Sequence, residues 1–99
     1  MTNLRKLARG QPCMIRVPSV CIDDDRHETT VLCHVRSIGI SGYGLKAPDL
    51  IASLGCQACH DFVDNRSHPN NTYEYRRLLL LDGMARTLYH WIKTGVIDG

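Results

Sequence analysis

The stretch CQACH, residues 56–60, is open to three chemistries. Two cysteines in C-x-x-C spacing followed by a histidine form the attachment signature of a c-type haem. The same pair could cycle between dithiol and disulfide. It could also supply half of a zinc site and leave His60 for other work. The rest of the chain decides between them. Covalent haem attachment normally follows export, yet the start, MTNLRKLARG, carries basic residues with no apolar run behind them. The expectation is a cytoplasmic protein with no signal peptide and no membrane span, in a compartment where thiols stay reduced. Reduced thiols also argue against disulfides among the five cysteines. A thioredoxin-like pair needs a βαβ context, and none is visible around residues 56–60. Zinc is left as the leading account.

Working upstream, LIASL (50–54) reads as a short strand. TTVLCHVRS (29–37) is rich in β-branched residues and reads as another. Between them lies IGISGYGLKAPD (38–49), a glycine-rich segment without Walker spacing, read as a hairpin connection. DDDRHE (23–28) is a polar surface loop. CMIRVPSVC (13–21) is extended, with a turn at Pro18. Residues 1–12 form a basic arm with a short helical turn around Leu4, Leu7 and Ala8. Downstream, HDFVDNRS (60–67) has helical character, and HPNN (68–71) breaks it. From Thr72 to Thr94 the pattern predicts one long helix. Its core stripe is Leu78, Leu81, Ala85, Leu88 and Ile92, recurring at three- and four-residue steps. Gly83 costs this helix some stability, and Gly95 is its natural stop. The fold class is α+β.

The chain has 99 residues, which predicts a single domain over 1–99. So short a chain has a modest core that a bound metal would help. Apolar residues are 43% and charged residues 22%, ordinary for a globular protein. A net charge of +2 does not by itself identify a polyanionic partner. The choice of base is more informative: nine arginines against three lysines. The planar arginine fork binds phosphate through two parallel hydrogen bonds.

A closed structural zinc site needs four ligands. Cys56 and Cys59 give two, and Cys13 and Cys21, on either side of the Pro18 turn, are the natural second pair. Such a site would tie the N-terminal segment to the start of the helix after residue 56. Cys33 is the odd one. Strand alternation puts Val31, Cys33 and Val35 on one face, and Leu32, His34 and Arg36 on the other. Cys33 is therefore expected to be a small buried hydrophobe. On a helix, His60 and Asp64 are one turn apart. That spacing suits either a divalent cation shared by a nitrogen and an oxygen, or a plain surface hydrogen bond. His34 alone on a strand is structural or exposed unless the hairpin lays it against the helix carrying His60.

A histidine on a strand, a loop, a second strand and then C-x-x-C-H opening a helix resembles the ββα-metal core of HNH (His-Me finger) nucleases. The matching pieces are CHV (33–35), PDLIASL (48–54) and CQACHDFVD (56–64). Over nearly its full length the chain resembles the YbcO-like family of small prophage-encoded nucleases. RKLARGQPCMIRVPSVC, ETTVLCHVR, KAPDLIASLGCQACHDFVDNRSH and LDGMARTLYHWIKTGVI carry that resemblance.

The resemblance implies a zinc-stabilised ββα core over 29–68, preceded by an arm and zinc loop over 1–28 and followed by the helix over 72–94. It implies His34 as general base, His60 as a metal-binding histidine and Asp64 as the last ligand of that cation. Asp49 matches the middle Asn. Cys33 stands where most HNH sites have an Asp or His ligand. The expected function is hydrolysis of DNA phosphodiesters with Mg²⁺ or another divalent cation, beside a structural Zn²⁺. Arg36 would clamp a neighbouring phosphate, and Arg5, Lys6 and Arg9 would track the backbone. The departure at Cys33 keeps a second reading open: a non-catalytic zinc module that binds DNA or a phage or host protein.

Overall fold

The computed structural model describes residues 3–23, 26–36, 48–68 and 70–98. The N-terminal turn is helix α1, Leu4–Ala8. It starts where the Asn3 side chain accepts the Lys6 N–H, and it turns Leu4 and Ala8 inward. Strands β1 (Val31–His34) and β2 (Ala52–Gly55) pair antiparallel, with Val31 opposite Gly55 and His34 opposite Ala52. Residues 38–47 of the expected hairpin connection (38–49), and Ser37 before them, lie outside the described residues. Helix α2, Gln57–Val63, follows β2 directly. It ends at Asn65, whose φ of 61° is left-handed. Asn65 N–H donates to Phe62 O and Arg66 N–H to Asp61 O, a closed C-terminal cap.

Helix α3, Tyr73–Lys93, has the boundaries its sequence signals predict. Thr72 accepts the Tyr75 N–H at 3.1 Å and caps the start. Gly95, at φ 79°, ends it, with Gly95 N–H on Ile92 O and Val96 N–H on Trp91 O.

The face of α3 that meets the core is not the expected one. Leu78 is 58% exposed and Ile92 39%, Ala85 is also exposed, and Leu81 and Leu88 are only half-buried. The buried residues are Leu80, Gly83, Thr87 and Trp91. This correction has a physical cause. Helix α3 lies close against β2, and two of its contact residues are small or polar. A Cβ on Gly83 would clash with Ser53 Oγ and stand 3.2 Å from Ile15 Cα. Thr87 Oγ1 accepts the Leu54 N–H at 2.9 Å and donates to Gly83 O at 2.7 Å. Hydrophobicity alone gives such a face no weight. Gly83, read as a cost to the helix, is what allows the close approach.

Two apolar clusters result. One gathers Ile15, Val17, Val35, Phe62 and Leu80 around the buried cysteines. The other gathers Leu4, Ala8, Met14, Leu32 and Leu54 around Trp91, which is 1% exposed. Arg86, reaching from α3, donates to Met14 O at 2.7 Å and Ile15 O at 3.2 Å, fixing the N-terminal segment across the sheet.

Candidate metal centre and candidate active site

Cys13 and Cys21 come from the N-terminal loop, Cys56 caps the start of α2 and Cys59 sits in its first turn. One ligand atom from each lies within 4.8 Å of the others. Cys56 Sγ and Cys21 Sγ are 3.7 Å apart. Zinc–sulfur bonds of about 2.3 Å at tetrahedral angles place neighbouring sulfurs about 3.8 Å apart, so the donor set fits a metal ion such as zinc. The loop is shaped for this. Arg16 has a left-handed φ of 54°, which folds its N–H back toward Cys13 Sγ at 3.5 Å. Val17 N–H points at Cys59 Sγ at 3.4 Å. Asp23 accepts the Cys13 N–H at 3.0 Å and pairs with His27 Nδ1 at 3.0 Å, anchoring the loop from outside.

The charges of these thiols are interdependent. A hydrogen bond from the Cys59 thiol lowers Cys13 to about 5, against the effect of burial. Donating that bond, together with burial, pushes Cys59 far up. Burial raises Cys21 to about 11. Cys33 stands apart from the four. It is 1% exposed, and burial, reinforced by the nearby Asp64 charge, keeps its thiol neutral.

On the opposite face of β1, His34 Nε2 lies 2.8 Å from Asp49 Oδ1. Arg5 Nε, from α1, donates to the same oxygen at 3.0 Å. The His34 hydrogen bond first, and Arg5 second, hold the Asp49 carboxyl below its ordinary 3.8. Asp49 thus fixes the orientation of the His34 ring. One helical turn apart, His60 Nε2 and Asp64 Oδ2 are separated by 3.1 Å, with Arg66 3.7 Å from that oxygen.

A cleft of about 260 Å³ has His34, Arg36, Asp64, Tyr73, Arg76 and Arg77 among its walls. The structure therefore brings His34, Arg36 and Asp64 to one cleft, whereas His60, paired with Asp64, is not among the residues that line it. Arg5, Lys6 and Arg9 line another depression of about 390 Å³ along α1, and Arg5 links it to His34 through Asp49. Sequence reasoning missed Asp23, Tyr73, Arg76 and Arg77. Nothing local marks Asp23 among its acidic neighbours. The other three had a signal, because spacings of three and four put Tyr73, Arg76 and Arg77 on one helix face.

A family model described as "Putative nuclease YbcO" matches residues 2–96. The chain is 48% identical over 97 residues to "Putative nuclease YbcO" of Escherichia coli (strain K12), covering 98% of each protein. It is equally similar to "Putative nuclease ybcO" of Enterobacteria phage 82. A solved structure of "a putative bacteriophage protein" from Escherichia coli K-12 superposes with a TM-score of 0.74 at 45% identity, covering 94% of this chain and all of that one. No helix among the described residues is long and apolar enough to cross a membrane.

Proposed function

The chain belongs to the YbcO family, and from that membership we propose that it is a metal-dependent endonuclease of the HNH type, cleaving DNA phosphodiesters in the cytoplasm as a single domain. The observation that carries this reading is the His34–Asp49 pair at 2.8 Å, on the wall of a cleft that also holds Asp64 and Arg36. With Nε2 engaged by Asp49, the second ring nitrogen of His34 takes a proton from water. The water oxygen attacks phosphorus, and the bond to the leaving oxygen breaks. Arg36 steadies a neighbouring phosphate. His60 and Asp64 would hold a divalent cation such as Mg²⁺, which supplies positive charge toward phosphate oxygens when bound. Zn²⁺ on Cys13, Cys21, Cys56 and Cys59 is structural: all four ligand places are protein sulfur, leaving no open position for substrate. Arg5, Lys6 and Arg9 extend the positive surface along α1.

Plasmid nicking with added Mg²⁺ or Mn²⁺ tests this. The parent should nick. His34→Ala should not, while keeping its zinc content. Equal nicking by both proteins would overturn the assignment of His34.

A second reading is favoured by Cys33, which is buried and leaves only His60 and Asp64 as protein ligands for the second cation. In that reading the chain is a zinc-stabilised module that binds nucleic acid without cutting it. Binding without cation-dependent nicking would support it.

A further inference from the structure

We infer that the cleft beside His34 receives one unpaired nucleotide, with Tyr73 stacking on its base and Arg76 and Arg77 holding its phosphate. The location rests on the nuclease reading, but the binding itself does not. Three observations carry it.

The first is size. A cleft of about 260 Å³ sits near the lower bound of small-ligand pockets, about 300 Å³. It is scaled to a single nucleotide, whereas a duplex would have to lie across its rim.

The second is charge. Arg36, Arg76 and Arg77 face one carboxylate, Asp64, in that cleft. Two of the guanidiniums are already oriented. Arg77 Nη1 donates to Arg36 O at 2.6 Å, and Arg76 Nη1 donates to Asn71 Oδ1 at 3.0 Å. Each uses only part of a five-donor fork, so donors remain for phosphate oxygens. Holding the side chains in place beforehand reduces the entropy lost on binding.

The third is the aromatic. Tyr73, at the first turn of α3, is 62% exposed, with the Arg76 guanidinium 5.9 Å from its ring centroid. An exposed aromatic ring with an arginine near its face, beside a basic cleft, is the arrangement that single-strand binders use to hold bases without reading them. His34 lines the same cleft, and Asp49 connects it to Arg5 of α1.

The test is fluorescence anisotropy with the zinc-loaded full chain and no added Mg²⁺. The probes are labelled dT12, the corresponding dA–dT duplex and rU12. The single strand should bind more tightly than the duplex. Tyr73→Ala should weaken dT12 binding about 10-fold and leave duplex binding unchanged, while Tyr73→Phe stays within about twofold of the parent. Arg76→Ala and Arg77→Ala should each reduce the salt slope by about one. A Tyr73→Ala loss confined to rU12 would support the same site with RNA as the source of the nucleotide. Tighter binding of duplex than of single strand, or a Tyr73→Ala loss that is equal on both or absent from all three probes, would overturn the inference. Nicking by the same proteins separates the two readings. Tyr73-dependent binding without nicking keeps this site and sinks the nuclease. His34-dependent nicking with unchanged Tyr73→Ala binding does the reverse.

Discussion

Replacing Gly83 by alanine sets two effects of known sign against each other. In a helix interior, alanine is favoured over glycine by about 1 kcal/mol. On an exposed face the substitution would therefore stabilise α3. Gly83 instead faces β2 and the N-terminal segment. Its new Cβ would overlap Ser53 Oγ and stand 3.2 Å from both Ile15 Cα and Ile15 Cγ1. These neighbours have little room to yield. Ser53 is fully buried and donates to Leu54 O. The Ile15 backbone is held by Arg86. Overpacking of this kind costs about 1–3 kcal/mol, and a pinned backbone puts the cost in the upper part of that range. The net expectation is a loss of about 1–2 kcal/mol. For a chain of this size that lowers Tm by roughly 5–15 °C. Thermal unfolding followed by circular dichroism reads it directly, and urea unfolding with an unchanged slope would show that the native state alone was affected. A Tm equal to or above that of the parent would refute the packing argument, because helix propensity would then have won.

The same helix makes a paired prediction. Trp91→Ala should cost about 3–5 kcal/mol, whereas Leu78→Ala should stay within about 0.5 kcal/mol, as compared from urea midpoints. The opposite ranking would mean the outer row is the packed one. Chelation of the parent should lower its Tm, Cys59→Ser should abolish that sensitivity along with much of the stability, and metal analysis should find one zinc per chain. Unchanged melting in both experiments would remove the structural metal. For Asp49 the linkage sign follows from its lowered carboxyl. Its stabilisation is present above the ordinary 3.8 and is lost as pH falls through the lower folded value. The stability gap between parent and Asp49→Asn should therefore be full at about pH 5 and shrink toward pH 2. A gap independent of pH would mean that the carboxylate's pairing with His34 and Arg5 contributes nothing.

The sequence by itself determined whatever a residue settles with its own backbone or its own chemistry. Thr72 and Gly95 mark the ends of α3 because a hydroxyl cap and a left-handed glycine act on neighbouring peptide groups. The four cysteines could be grouped because thiolates are scarce and few other groups compete for their role. Cys33 and His34 could be assigned to opposite faces because strand alternation is a local rule. Tertiary structure alone decided which side of α3 is inside. Both rows of that helix carry apolar side chains, and the row that packs does so through a glycine and a threonine. Their fit depends on Ser53 and Ile15, far away in the chain. It also decided the cleft. Asp49 orients His34 with help from Arg5, 44 residues before it, and Arg77 reaches Arg36 across 41 residues. Such pairs leave no periodicity in the sequence, because each partner is chosen by where the chain returns in space.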